Sequence, residues 1–161
     1  MKPALRSAAT STAMALMAFA AAAQTPDNAV ISNDAILSAP TGADRIAEGK
    51  AVYDTNCASC HGAKLKGQPD WRRRLDTGRM PAPPHDESGH TWHHPDADLV
   101  KIIKSGLDAV VPGYESDMPA FGGTLSDAEI TDVLAYIKST WPVRQRDFQA
   151  EVTANDAPNP K

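Results

Sequence analysis

The sequence predicts an all-α fold, three to four main helices with one long irregular loop, and three observations predict it. Apolar residues recur three or four positions apart in separate stretches near 44–56, 95–106 and 126–141. Between the first two, Gly62 to His94 carries Gly, Pro and charge with almost no apolar period. The first helical stretch also runs directly into Cys57-Ala58-Ser59-Cys60-His61.

Two thiols and an imidazole in that order are what covalent haem attachment requires. The thiols add to the two vinyl groups along one edge of a porphyrin. Two intervening residues let one turn of helix present both sulfurs to that edge, and His61 then points its ring at the iron. One haem c, bound through Cys57 and Cys60 with His61 as an iron ligand, is the expected cofactor. Three other uses of CxxC compete with it. A structural zinc site needs four ligands, and with no further cysteine in the chain, histidines from distant loops would have to complete it. A thioredoxin-like pair needs a strand-helix-strand setting, whereas the residues before Cys57 look helical and those after it look like loop. A disulfide between residues three apart would constrain almost nothing.

The elements follow in order. Lys2 and Arg6 precede an Ala- and Met-rich apolar stretch from Ala8 to Ala23, with Ala21-Ala22-Ala23 ahead of Gln24. This is the pattern of a secretory signal peptide cleaved near Ala23. The stretch falls short of the roughly 20 strongly apolar residues of a membrane span, so a retained anchor is the less favoured alternative. Residues 24–42 read as an irregular arm. The domain is expected over 43–142, and its first helix begins near Asp44, placed as a cap, with Ile46, Gly49, Tyr53 and Asn56 at helical spacing. Gly49 costs about 1 kcal/mol against alanine in a helix, which either close approach by another helix or simple tolerance explains.

The loop from Gly62 to His94 has about thirty residues, a length that compact domains seldom carry without a functional reason. A haem would supply the apolar surface on which it orders. The second main helix resumes around Pro95, a residue suited to a first helical position. Leu99, Ile102 and Ile103 share one face, Lys101 and Lys104 lie on the solvent side, and Gly106 is the stop. In the last helix, Ser126-Asp127-Ala128-Glu129 is a capping box, followed by Ile130, Val133, Leu134, Ile137 and Trp141, with Pro142 closing it. Residues 143–161 are polar and proline-bearing, and read as a mobile tail.

A helix leading to CxxCH, a middle helix, a Met-Pro segment and a final amphipathic helix resemble the class I c-type cytochromes, in particular small exported mono-haem bacterial ones. The likeness is carried by Asn56 to Gly62, by Ser116-Asp117-Met118-Pro119-Ala120-Phe121-Gly122 and by Leu125-Ser126-Asp127-Ala128-Glu129-Ile130, and it covers roughly residues 43 to 142. The resemblance implies the class I cytochrome c fold around one covalently bound haem, with His61 as proximal and Met118 as distal ligand. It also implies a crossing of first and last helices near Gly49 and Tyr136, and a proline carbonyl bonded to the proximal imidazole, for which Pro83 and Pro84 are both candidates. A physical argument supports Met118 independently. A thioether stabilises ferrous iron and suits electron transfer, and Met118 sits in a loop able to swing sulfur over the ring. Met80 is the rival, also followed by proline, but it lies 19 residues after His61 and lacks a neighbour like Phe121 to seal a haem edge.

His85, His90, His93 and His94 crowd the end of the long loop. Replacement of Met118 by one of them and a second copper or zinc site stand as alternatives to ordinary loop histidines, and stoichiometric copper binding is not expected. Arg72, Arg73 and Arg74, with Lys64 and Lys66 nearby, form a basic run that is either a docking patch for a redox partner or a solvated loop. The whole chain carries 16 basic and 20 acidic side chains, and loss of Lys2 and Arg6 makes the balance more acidic, which argues against nucleic acid.

The expected function is a one-electron carrier with a His/Met-ligated haem in a periplasmic respiratory or redox chain. Redox proteins of unspecified identity would be its partners, with peripheral contact to membrane complexes. An enzyme or binder of gas or peroxide with an open distal position is the alternative, although no distal His-Arg pair is identifiable by spacing. A haem subunit of a larger oxidase or dehydrogenase complex is the other.

Overall fold

The computed structural model describes residues 42–156. The leader expected over 1–23 lies outside them, as do 24–41 of the arm and residues 157–161. Five helices follow in order: α1 (Ala43–Asn56), α2 (Ala58–His61), α3 (Asp96–Ser105), α4 (Asp127–Ser139) and α5 (Val143–Asp156). Single 3-10 turns occur at Thr91–His93 and Leu107–Ala109. No strand occurs among the described residues, in agreement with the all-α expectation.

α1 and α4 form the principal helix pair, and glycine sets how closely they approach. A Cβ placed on Gly49 would lie 1.9 Å from the Asp132 carbonyl oxygen and 3.0 Å from the Tyr136 Cβ. The glycine is therefore required by the crossing rather than tolerated within α1. Arg45 braces the same crossing, with Nε and Nη2 each 2.7 Å from Asp132 Oδ1. Around it, Tyr53 from α1 packs with Val133, Tyr136 and Ile137 from α4, and with Leu65 and Trp141. A second cluster of Leu99, Leu125, Ile130 and Leu134 joins α3 to α4, and Val52 and Ile103 touch both clusters. This is the helical periodicity of the sequence turned into two adjoining apolar seams.

The helix ends agree in part with the sequence signals. The capping box forms as expected: the Glu129 N–H donates to Ser126 Oγ, and the Ser126 N–H donates to the Glu129 carboxylate at 2.8 Å. The Ser126 N–H and the Ser126 hydroxyl, which donates to the same carboxylate at 2.7 Å, hold the Glu129 carboxyl below its ordinary pKa, the backbone bond first. Asp44, expected as a cap, instead sits within the first turn of α1, and Gly42 occupies the cap position without a side-chain bond. Its charge still favours the positive end of the helix. Pro95 precedes the first turn of α3 rather than opening it.

Residues 143–161 need a larger correction. The expected mobile tail is, from Val143 to Asp156, the helix α5, so the folded domain does not stop at 142. Gln149 and Thr153 are 2% and 1% exposed. The Gln149 side-chain amide donates to Asp96 Oδ1 at 2.6 Å, and Thr153 Oγ1 accepts the Asp96 N–H at 3.2 Å. Asp96, at 0% exposure, also pairs with Lys138 of α4. Burial pushes the Lys138 ammonium down from its ordinary pKa, with Asp96 offsetting part of that shift. On the outer side Phe148 meets Trp92 edge-on at 5.5 Å between centroids. A helix docked through glutamine, threonine and a buried carboxylate lacks the apolar period by which helices are recognised.

Gly49→Ala is expected to destabilise the protein by about 1–3 kcal/mol through overpacking at the crossing, although alanine gains about 1 kcal/mol in helix propensity. Urea unfolding followed by helical circular dichroism measures it, and an unchanged midpoint refutes the tight crossing. Lys138→Ala strands Asp96 and is expected to cost about 3–5 kcal/mol. Adding Asp96→Asn to that variant should return part of the loss; equal losses would assign the effect to the lysine stem instead.

Candidate haem-attachment site

The end of α1 presents the first thiol. The Cys57 N–H bonds to the Tyr53 carbonyl at 2.9 Å, and the Cys57 carbonyl accepts from Cys60 N–H at 3.1 Å and His61 N–H at 2.9 Å. One helical turn thus carries both cysteines and the histidine. Both cysteines are free thiols, Cys57 partly buried and Cys60 exposed. Burial, then the neighbouring Cys60, pushes the Cys57 thiol up to about 11. It is therefore held as a thiol at neutral pH, beside which a haem vinyl group would be attached. Tyr53 Oη donates to the Gly62 carbonyl at 2.9 Å, which ties the end of this turn back to α1.

His61 is 7% exposed, and its Nδ1 lies 2.8 Å from the Pro83 carbonyl. Nδ1 is accordingly the protonated nitrogen, and Nε2 keeps its lone pair. Desolvation lowers the imidazole pKa by more than the Pro83 bond raises it, so the ring is neutral at pH 7, as a metal ligand must be. Of the two candidate prolines, Pro83 is the one that makes this bond.

The loop returns to His61 by zipping onto itself. The Gly67 N–H donates to the His61 carbonyl at 2.7 Å, Gln68 N–H to Ala82 O at 2.9 Å and His85 N–H to Leu65 O at 2.8 Å. Ala82 N–H answers with a bond to Gln68 Oε1 at 2.9 Å. Gly67 has φ +67°, and a Cβ there would lie 2.5 Å from the Pro84 nitrogen. Leu65 also takes a left-handed φ of 60°, a conformation costing roughly 1–2 kcal/mol for a residue with a Cβ. Its burial in the Tyr53 cluster offsets that cost.

The histidines of the loop separate by their neighbours. His85 stacks face to face on His61, with centroids 4.0 Å apart and planes 26° apart. A ring in that contact shares the side of His61 and does not reach the opposite face of a haem that His61 ligates. Burial, followed by His61 and His90, holds the His85 pKa well below its ordinary value. His90 stacks on Trp71 at 5.5 Å and meets His94 edge-on, while His93 packs on Trp92 at 3.8 Å and against Phe148. Among the described residues, no group of three or more His, Cys, Asp or Glu side chains is placed to hold a metal ion.

Met118 is partly buried, and its N–H donates to Ser116 Oγ at 3.1 Å. Its segment is fastened to the end of α3, where Phe121 N–H bonds to Ile103 O and Gly122 N–H to Lys104 O, both at 2.9 Å. Phe121 packs on the Leu99 cluster. Met80 is also partly buried, and an Arg79–Asp117 ion pair joins the residues immediately before the two methionines. In the basic run, Arg72 lies 4.1 Å over the Trp71 ring, Arg74 Nη1 donates to Gly78 O at 2.6 Å, and Lys66 pairs with Asp86 at 2.5 Å.

The donor set fits a c-type haem: two thiols on one helical turn, followed by a neutral imidazole whose far nitrogen keeps a lone pair. Known proteins match the same span. The cytochrome c family model matches residues 46–141. The chain is 32% identical over 100 residues to cytochrome c-555 of Prosthecochloris aestuarii, covering 57% of this chain and 84% of that protein. It is 32% identical over 99 residues to cytochrome c6 of Picosynechococcus, covering 61% of this chain and 75% of that one. The gluconate 2-dehydrogenase cytochrome c subunit of Pantoea cypripedii is 30% identical over 129 residues, 77% of this chain but 26% of that subunit. No solved structure gives a significant match. With the family model running from within α1 past the end of α4 and the attachment motif inside it, the chain belongs to the cytochrome c family, as a class I c-type cytochrome.

Proposed function

We propose that this protein is a one-electron carrier of a periplasmic respiratory or redox chain, with one haem c attached through Cys57 and Cys60 and ligated by His61 and Met118. The observation that carries the proposal is the His61 imidazole, neutral and fixed by Pro83 at 2.8 Å, on the same helical turn as two free thiols. When bound, the haem supplies a ferrous/ferric couple that a thioether ligand shifts toward the reduced state.

The chain's own part is to hold the two ligands still. Pro83 orients His61 and sharpens its basicity. Met118 is favoured over Met80 because of where each segment is anchored. Met80 lies only three residues before the proline bonded to His61, whereas the Met118 segment hangs from α3. Two protein ligands leave no position for a substrate, which separates a carrier from a haem enzyme or gas binder. Export is supported by Lys2, Arg6 and the apolar stretch to Ala23, and no helix among the described residues is long and apolar enough to cross a membrane.

The exposed Arg72, Arg73 and Arg74 give an otherwise acidic protein a face that steers an acidic redox partner. A second reading, a haem module working within a larger complex, draws on the dehydrogenase subunit, whose similarity extends over 77% of this chain. Co-purification with a membrane enzyme would favour it.

Met118→Ala is expected to abolish the methionine-to-iron charge-transfer band of the ferric protein and lower its reduction potential, while Met80→Ala keeps both. A wild-type ferric spectrum that is high-spin would sink the carrier. Charge reversal at Arg72, Arg73 and Arg74 should flatten the salt dependence of electron-transfer rates with an acidic partner; an unchanged dependence removes this run from docking.

A further inference from the structure

We propose that His85 is a positioning residue for the proximal ligand: its imidazole is a plate that fixes the rotation of the His61 ring and thereby tunes the iron. This role rests on His61 being the iron ligand. The Pro83 bond orients the His61 ring by holding Nδ1, but one hydrogen bond restrains the tilt of the ring less tightly than a contact across its face does. His85, 4.0 Å away and 26° from parallel, occupies one face of that ring and blocks the motion.

His85 is itself held from every direction. Its N–H bonds to Leu65 O at 2.8 Å, and its carbonyl accepts the Trp141 indole N–H at 2.7 Å. Its Nδ1 lies 2.8 Å from Thr91 Oγ1, while the Thr91 hydroxyl is directed at the Pro84 carbonyl 3.5 Å away. Nδ1 and the Thr91 hydroxyl thus share a hydrogen bond. The outer edge of the ring meets Tyr53 at 6.3 Å and 75°. Contacts from α1, from both arms of the loop and from Trp141, two residues beyond α4, thus converge on one residue. An aliphatic residue would fill the space, but only a planar ring with a nitrogen at that position both stacks on His61 and hydrogen-bonds to Thr91.

The plane of an axial imidazole decides how its π orbitals mix with the iron d orbitals, and groups behind a ligand control that plane. Ferric haem-methyl NMR shifts report it directly, so the test is made on the full-length, haem-loaded protein. His85→Leu is expected to change the spread of the haem-methyl shifts and move the reduction potential while the methionine band persists. His85→Phe, which keeps the plane without the nitrogens, should return the spread toward wild type. Leu and Phe variants that both match wild type overturn the proposal, as does a Leu variant altered in unfolding midpoint alone. Should His85→Leu not take up haem, Thr91→Val, which releases Nδ1, is read instead: movement of the same resonances supports the role, and none overturns it. A wild-type protein without low-spin, histidine-ligated haem removes the parent reading and this one together, before any substitution is made.

Discussion

His61 has to satisfy two demands at once. Its backbone belongs to the single turn that presents Cys57 and Cys60, while its side chain needs a carbonyl from Pro83, 22 residues further on. Closing a loop of that size costs chain entropy, and an unsupported hydrogen bond, worth about 1 kcal/mol, does not offset it. The closure is therefore spread over neighbours. The bond from Gly67 to the His61 carbonyl, the paired bonds between Gln68 and Ala82, the bond from His85 to Leu65, and the buried Leu65 side chain each contribute. Trp141 then clamps the far arm from the end of α4. Because α4 is fixed to α1 at Gly49, one helix crossing secures both the turn with the thiols and the loop that orients the ligand.

Local chemistry in the sequence was legible, and longer-range chemistry was legible only in part. The Ser126 capping box, the stop at Gly106 and the attachment turn depend on residues within four positions of one another, and each forms as expected. Gly49 carries a cost that sequence alone leaves between tolerance and close packing; the Asp132 carbonyl decides it. The loop is harder, because nothing local marks which of Pro83 and Pro84 faces His61. The histidines are harder still. Four similar side chains within ten positions differ only in what they stack on, and that depends on the return path of the loop.

α5 was missed for a different reason. Its burial runs through Gln149, Thr153, Asp96 and Lys138, and polarity reads as exposure when only composition is visible. An apolar seam would hold the helix as firmly, yet apolar surfaces tolerate sliding. Asp96 takes its partners from α4 and α5 in one register only, since its backbone N–H and one carboxylate oxygen must both be met. The buried charge is a poor source of net stability but an effective address, and it brings Phe148 onto Trp92 and His93. Phe148 thereby covers part of the end of the long loop, while His93 and Phe148 stay exposed at their outer edges.

The two sides of the site are built to different stiffness. Everything that touches His61 is tied into α1, α4 and the zipped loop by bonds that span much of the chain. The Met118 segment hangs from α3 by two backbone bonds and the packing of Phe121, with the exposed Arg79–Asp117 pair as its tie to the loop. Exposed ion pairs contribute little, about 0–1 kcal/mol. In the proposed carrier both ligands would have to stay in place as the iron changes charge, and a thioether bond from Met118 to the iron would itself supply part of the restraint on the distal side. The proximal side would gain no such restraint for the plane of its ring, since a bond from His61 to the iron would leave rotation about its own axis free. Protein contacts must supply it, and that is the side on which this chain concentrates them.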